Sequence, residues 1–338
     1  MHSIIFKNDA VGDLVQSLNA INNIVNHNKE RKIIVYLSER SKNFDFLLKF
    51  ENVEVKILNY DLSIIEKIKI IYSLLTGSFK SVYILAPKNF YFYLPFIFRK
   101  IKFYGLCVNG NNNYKRPSNF LRKYLYSYVI NERDKITKRK STMEIQVDLT
   151  KDLNFNQNYK INLISDFKVD EYSKVNNYIY FHLKLQNFKR LGWGIKELNI
   201  IFEEFLKYKK KVIFTRDIDV NDSNNEYKKH FNVINFSTNE RFDKNSKISL
   251  FDGIKGSDLY NVIRKADKVV AFHGMMTNLA SIEKRPVLDL FHCHIKSTYK
   301  NALYEFKPIY KDYDFIVPSK NIIKTINKMK FSLKKLNE

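Results

Sequence analysis

Two stretches of this 338-residue chain gather residue types that can do chemistry. The first is Lys7-Asn8-Asp9-Ala10-Val11-Gly12-Asp13-Leu14-Val15, where two carboxylates and a glycine come after the short apolar run Ser3–Lys7 (SIIFK). Such a run reads as a buried strand, and the residues after it as the entry into a helix. In an open parallel sheet ligands bind beyond the carboxyl ends of the strands, so this junction is where a site belongs. Gly12 permits a tight turn, and free N–H groups at a helix start attract anions. No G-x-G-x-x-G spacing is present, so no dinucleotide cofactor is indicated. Asp9 and Asp13 admit two readings. Either carboxylate caps the helix, or Asp13 stands at a cleft mouth as a general base that takes the proton from an acceptor hydroxyl.

The second stretch runs from Leu250 to Phe291: a Gly-containing loop, an amphipathic helix, a buried strand, a Gly turn into a second helix, and a strand after Pro286. Its turn, Phe272-His273-Gly274-Met275-Met276-Thr277-Asn278, lies at another strand-to-helix junction whose N–H groups can hold a diphosphate. His273 either hydrogen-bonds a phosphate or sugar hydroxyl or is a buried histidine satisfied by backbone. Met275 and Met276 belong to the loop by position, although thioethers suit packing better than ligation. Asp217-Ile218-Asp219 matches a metal-binding Asp-x-Asp in letters only, just after a strand, and no metal is expected.

Elements that position these stretches emerge from the alternation of short β-branched runs with longer amphipathic ones, the pattern of an α/β fold with a mostly parallel sheet. The first half carries strand patterns at Ser3–Lys7, Lys32–Leu37, Val53–Leu58, Ser81–Leu85 and Phe103–Val108, with helices over Asp13–His27, Phe44–Phe50, Ser63–Leu75 and Phe90–Lys100. Residues 109–175 are less regular, with one basic helix expected over Pro117–Ile130 and a charged run, Asp134–Lys140. Alternation resumes with strands at Tyr178–Leu183, Lys211–Thr215, Val233–Phe236, Lys268–Phe272 and Pro286–Phe291. Helices are expected over Lys196–Tyr208, Ser257–Ala266, Met275–Glu283 and Ser319–Lys334. The length suits two domains: residues 1–160, residues 161–318, and a terminal helix, 319–338, packing back on the first.

Composition narrows the class. An apolar fraction of 45% with 15% aromatics fills two cores and excludes a disordered chain. Cys107 and Cys293 form neither a disulfide framework nor a zinc spacing, which fits a reducing cytoplasm. The start of the chain lacks signal-peptide features. The longest apolar run, Phe90–Phe98, is about half of what spans a bilayer. A formal net charge of +23 is read first as a lysine-rich surface, then as a contact for anionic lipid headgroups. Nucleic acid is not expected, since no recognised motif accompanies the charge.

Together the two stretches resemble the heptosyltransferases of lipopolysaccharide core assembly, glycosyltransferase family 9. That family opens with a strand and then a Gly-Asp pair before apolar residues. Here the match is Val11-Gly12-Asp13-Leu14-Val15, and Asp13 falls on the family's proposed catalytic base. A Lys-Arg-Trp-Pro-like motif appears as Lys189-Arg190-Leu191-Gly192-Trp193-Gly194, with a two-residue insertion and no proline. The family's Gly-x-x-x-Leu helix, buried strand and Asp-Thr-Gly-x-x-His-x-Ala loop correspond to Gly253–Leu259, Lys268–Ala271 and His273-Gly274 through Ala280. The Asp-Thr pair is replaced by Phe272-His273, and the loop histidine by Thr277 or Asn278. The resemblance implies a GT-B fold, two Rossmann-like domains facing across a cleft. It also implies inverting, metal-independent transfer from a nucleotide-diphosphate sugar to a glycan or glycolipid acceptor. Asp13 would be the base, Lys189 and Arg190 would neutralise the leaving diphosphate, and Gly274–Asn278 would hold the nucleotide. A cytoplasmic enzyme that touches the inner face of the membrane through Phe90–Lys102 and Pro117–Ile130 fits such an acceptor. Alternatives are a related enzyme acting on another surface glycan, a non-catalytic binder of nucleotide or glycan, and a basic nucleic-acid-binding protein.

Overall fold

A computed structural model describes residues 2–110, 115–132, 140–151, 153, 177–209, 211–217, 226–235, 246–254, 256–291, 307 and 312–336. They fall into two compact units, one holding the described residues up to Leu153 together with Lys307, the other those from Asn177 to Phe291 and from Asp312 onward.

In the first unit β1 (His2–Lys7), β2 (Ile33–Ser38), β3 (Val53–Leu58), β4 (Phe79–Ile84) and β5 (Lys102–Asn109) run parallel in the order β3-β2-β1-β4-β5. On the far side of β5 lie β6 (Lys115–Arg116), antiparallel, and β7 (Ser127–Glu132), parallel. The order reverses between β1 and β4, which pair with Phe6 opposite Ile84. Their carboxyl ends therefore flank a topological switch point, the place where open α/β sheets bind ligands. β2 is buried at every residue, because helices cover both faces of its sheet. Helix α1 (Val11–His27) comes after β1, a 3-10 segment Glu39–Leu48 after β2, α2 (Ile64–Thr76) after β3, and α3 (Asn89–Ile97) after β4. A capping box starts α2: the Ser63 hydroxyl accepts from Glu66 N while the Glu66 carboxylate accepts from Ser63 N. The inner faces of α2 and α3 (Ile70, Leu74, Tyr91, Phe92, Leu94) share one core with Ile4, Phe6, Val82 and Ile84 of the sheet.

The seven strands described in the second unit are parallel: β8 (Tyr178–Leu183), β9 (Lys211–Arg216), β10 (Asn232–Asn235), β11 (Ile248–Asp252), β12 (Lys268–Phe272), β13 (Val287–Leu290) and β14 (Tyr313–Ile316). Their order, β10-β11-β9-β8-β12-β13-β14, places a second switch point between β8 and β12.

Several expectations are corrected. The segment Pro117–Ile130 is one turn of helix, α4 (Asn119–Arg122), and then β7. The β-branched and aromatic run Tyr128-Val129-Ile130 pairs with the free edge of β5, from Tyr104 opposite Ser127 to Asn109 opposite Glu132. The irregular middle holds a real helix, α5 (Thr142–Asp148), started by a Ser141–Glu144 capping box and packed on α1. In the second unit α6 (Leu185–Leu191), β11 and β14 had no counterpart in the pattern, whereas α7 (Ile195–Leu206), α9 (Gly256–Lys265) and α10 (Met275–Ile282) did. Between them α8 (Glu226–His230) comes after β9. The terminal helix α11 (Ile322–Lys335) packs on α7, β13 and β14 of the second unit, with Met329 and Leu333 fully buried in that core. Its apolar spacing fits the nearest open sheet face, so it adds to the core of its own unit. Residues 134–139, 154–176, 218–219 and 236 lie outside the described residues.

Candidate active site

The first-unit site begins with a buried lysine. Lys7, last residue of β1, is 1% exposed, and its ammonium meets the Asp9 carboxylate at 2.7 Å. It also donates to Leu85 O at the end of β4 (3.3 Å), tying the two carboxyl ends of the switch point together. Burial dominates at Asp9 and pushes its pKa up to about 6; the Lys7 charge opposes that shift and the Asp13 charge adds to it. The backbone around Asp9 is held from the end of β2 and the 3-10 segment after it, where Ser38 Oγ (2.5 Å) and Ser41 Oγ (3.0 Å) donate to Asp9 O. Asn8 is held too: Tyr91 OH donates to its Oδ1 (2.7 Å) while its Nδ2 donates to Asn59 O (3.3 Å).

Neither carboxylate caps α1. The N-cap is Ala10, with no side-chain hydrogen bond, and Asp13 stands in the first helical turn, half-buried. Gly12 lies beside it inside the helix and does not take a left-handed conformation, so the tight turn expected there is absent. Asp13 and Asp9 instead line a cavity of about 410 Å³ together with Lys7, Lys88, Arg116 and Gln146. Lys88 lies just beyond β4; it donates to Tyr60 O and sits 4.2 Å from the Tyr60 ring, and burial lowers its pKa. Gln146, on α5, is 1% exposed with its Oε1 unpartnered among the described residues. An ion pair, a second carboxylate, cations and a buried amide thus converge on the carboxyl edge of β1 and β4. That set can move a proton and orient a hydroxyl-rich ligand.

The second-unit site lies where β8 and β12 end. After β12, His273 turns its Nδ1 to Asp289 Oδ2 at 2.5 Å; Asp289 is fully buried on β13 and accepts a second bond from Tyr313 OH (2.7 Å). His273 is therefore held by a carboxylate and keeps 17% of its side chain exposed. Gly274 is next at φ +156°, ψ −148°, a conformation that disfavours any L side chain, and it opens α10. Thr277 is buried and exchanges hydrogen bonds with Gly274: its Oγ1 donates to Gly274 O (2.8 Å) and accepts from Gly274 N (3.3 Å). Its side chain shapes the turn. Asn278 is also buried, with an Oδ1 that has no partner among the described residues. Met275 is half-buried, and Met276 packs at 7% exposure with its sulfur 3.8 Å from Tyr180 OH.

After β8, Lys184 donates to His273 O (3.4 Å) and so bridges the two strand ends. Lys189 and Arg190 lie farther along, exposed in the last turn of α6, with Gly192 in the left-handed conformation closing that helix. Asp217 caps the start of α6 by accepting from Leu185 N (2.7 Å). Beneath them His182 Nδ1 meets Thr215 Oγ1 at 2.9 Å, and burial together with the Lys184 charge pushes the His182 pKa down to about 4. No cluster of three or more His, Cys, Asp or Glu that could hold a metal occurs among the described residues.

Lys88, Lys184 and Asp289 lie outside the residues that the sequence points to, and Lys7 has no role in that reading. Two of them carry a readable signal: Lys7 ends the apolar run SIIFK, and Asp289 interrupts VLDLF, each an ionisable group at a strand position that should be buried.

The fold defined by these two parallel-sheet units is GT-B. E. coli ADP-heptose LPS heptosyltransferase II has it, at TM-score 0.66 and 12% identity over 99% of this chain and 98% of that one. So does a family 9 glycosyl transferase from Veillonella parvula (TM-score 0.64, 10% identity, 99% and 89% covered). The UDP-GlcNAc 2-epimerase of Neisseria meningitidis, solved with UDP-GlcNAc, shares it more distantly (TM-score 0.53, 10% identity, 99% and 93% covered). No family model matches the chain, and no curated protein matches its sequence.

Proposed function

We propose that this chain is an inverting glycosyltransferase of the heptosyltransferase-like kind, which moves a sugar from a nucleotide-diphosphate donor to a hydroxyl of lipopolysaccharide or another surface glycan. The observation that carries the reading is Asp13: a half-buried carboxylate in the first turn of α1, facing a cavity at the switch point of the first sheet. In this scheme the acceptor hydroxyl attacks the anomeric carbon as its proton passes to the Asp13 carboxylate, and the nucleoside diphosphate departs with the electron pair of the broken bond. Asp9 and Lys7 are positioning residues that fix the negative edge of the cavity beside the base. The second unit takes the donor, with the first turn of α10 and the Lys184 ammonium at the diphosphate and Lys189 and Arg190 nearby on α6. The scheme uses no metal ion. An adenosine diphosphate heptose is the first donor to try, because heptosyltransferase II is named for ADP-heptose.

A thermal-shift series with ADP, UDP, GDP and their sugars tests the reading. Stabilisation by one nucleotide that grows with its concentration is expected, as linkage requires. No shift with any of them, alongside tight salt-sensitive binding of nucleic acid, would return the net charge of +23 to the centre of the account.

A further inference from the structure

The outer layer of the first unit is built differently from an ordinary solvated surface. Helix α2 turns Ile70 and Leu74 into the core, yet Ile64, Ile65, Ile68, Tyr72 and Leu75 are 59–74% exposed. Residues at such spacing cover the outward side of the helix. The neighbouring α3 does the same: Tyr91, Phe92 and Leu94 face the core while Tyr93, Phe96 and Ile97 are 45–56% exposed. Phe120 of α4 continues the layer, its ring centroid 6.5 Å from that of Phe96. All three helices contribute to the same core, so they lie on the same face of the sheet. A layer of large apolar side chains on this scale is a binding surface or a liability, since scattered exposed residues do not line up along three helices.

The charge around the layer names the occupant. From Ile64 to Lys102 there are, besides the cavity's Lys88, six lysines and arginines against a single acid, Glu66. That acid is spent on its own helix, accepting from Asn59 N and Ser63 N. The cations sit among the rings: Lys67 Nζ lies 6.0 Å from the Phe90 ring, Arg99 5.7 Å from Phe96, and Lys102 4.3 Å from Tyr126. Exposed isoleucines and aromatics interleaved with unopposed cations match the interface of an anionic bilayer, where apolar groups enter the acyl boundary and ammonium groups meet phosphate.

We infer that the α2–α3–α4 face of the first unit docks on anionic lipid headgroups. The inference is independent of the transferase reading, and the variants that test it touch none of its site residues. It is tested by co-sedimentation of the full chain with phosphatidylcholine vesicles, with and without phosphatidylglycerol. Binding is expected only to the anionic vesicles and weakens with added salt. The triple variant K67Q/K69Q/K100Q should lose affinity by on the order of a hundredfold, roughly fivefold per cation. The variant I65S/I68S/Y72S should lose vesicle binding while keeping the wild-type melting temperature, since all three side chains are exposed. Equal sedimentation with both vesicle types, or unchanged binding by both variants, would overturn the inference. So would a concentration-dependent dimer in sedimentation velocity that I65S/I68S/Y72S dissolves, because the face would then belong to a second copy of the chain.

Discussion

Substituting Lys7 by Met tests the electrostatic core of the first-unit site. The substitution removes an ammonium 2.7 Å from a carboxylate whose pKa is already pushed from 3.8 up to about 6. Because the folded-state pKa lies above the unfolded one, the folded state holds the proton more tightly. Stability therefore falls as pH rises from near 4 to the folded pKa. In the native chain that fall is about 3 kcal/mol, at about 1.4 kcal/mol per pH unit over the shift, and it ends just above pH 6. Without Lys7 its lowering influence is gone, the Asp9 pKa climbs further, and the fall continues to higher pH. A constant loss of about 1 kcal/mol is added for the bond from Lys7 to Leu85 O. Urea denaturation of both proteins should thus show a gap of about 1 kcal/mol near pH 5. Near pH 8 the gap should widen to about 3–5 kcal/mol, the usual cost of leaving one partner of a buried pair alone. An equal gap at both pH values would refute the reasoning, for Lys7 would then not be the charge that holds Asp9 ionised.

Other consequences concern the second unit. Lys184→Ala should weaken binding of the stabilising nucleoside diphosphate about tenfold by calorimetry and leave the free nucleoside unaffected, because the ammonium lies beside the α10 turn. Gly274→Ala should cost about 1–3 kcal/mol in denaturant titrations. The strain is in the backbone, since a Cβ there would meet nothing nearer than Phe272 O at 3.9 Å. Asp289→Asn disturbs a fully buried acceptor shared by His273 and Tyr313, and should lower stability by about 1–3 kcal/mol and weaken the nucleotide as well. A stability loss with nucleotide affinity intact would remove His273 from the site.

The legible part of the fold is the part with strong periodicity. Strands such as β1 and β12 are mostly apolar runs because both faces are covered, and long helices such as α1 repeat apolar residues at helical spacing. The elements that escaped detection depend on tertiary partners. The pairing of β7 rests on an open edge of β5 that no local window contains, and β14 is a four-residue strand that gains its place only from β13. The candidate site was legible where a strand meets a helix, and Asp13 and His273-Gly274 both fall at switch points. It was illegible where side chains meet across strands: Lys7 with Leu85, Lys184 with His273, and His273 with Asp289 each join residues 16–89 positions apart. The turn that opens α10 shows the other kind of miss. Thr277 has a residue type suited to ligand contact, but its hydroxyl is committed to the Gly274 turn.

The most direct test of the central claim is the conservative exchange Asp13→Asn, assayed for sugar transfer with a donor that stabilises the native chain. The account predicts a loss of transfer of about a hundredfold or more, the usual contribution of a positioned base, with nucleotide affinity and melting temperature unchanged. Transfer that survives the exchange at the native rate would contradict it, and the proton acceptor would have to be sought elsewhere, beginning with Asp9.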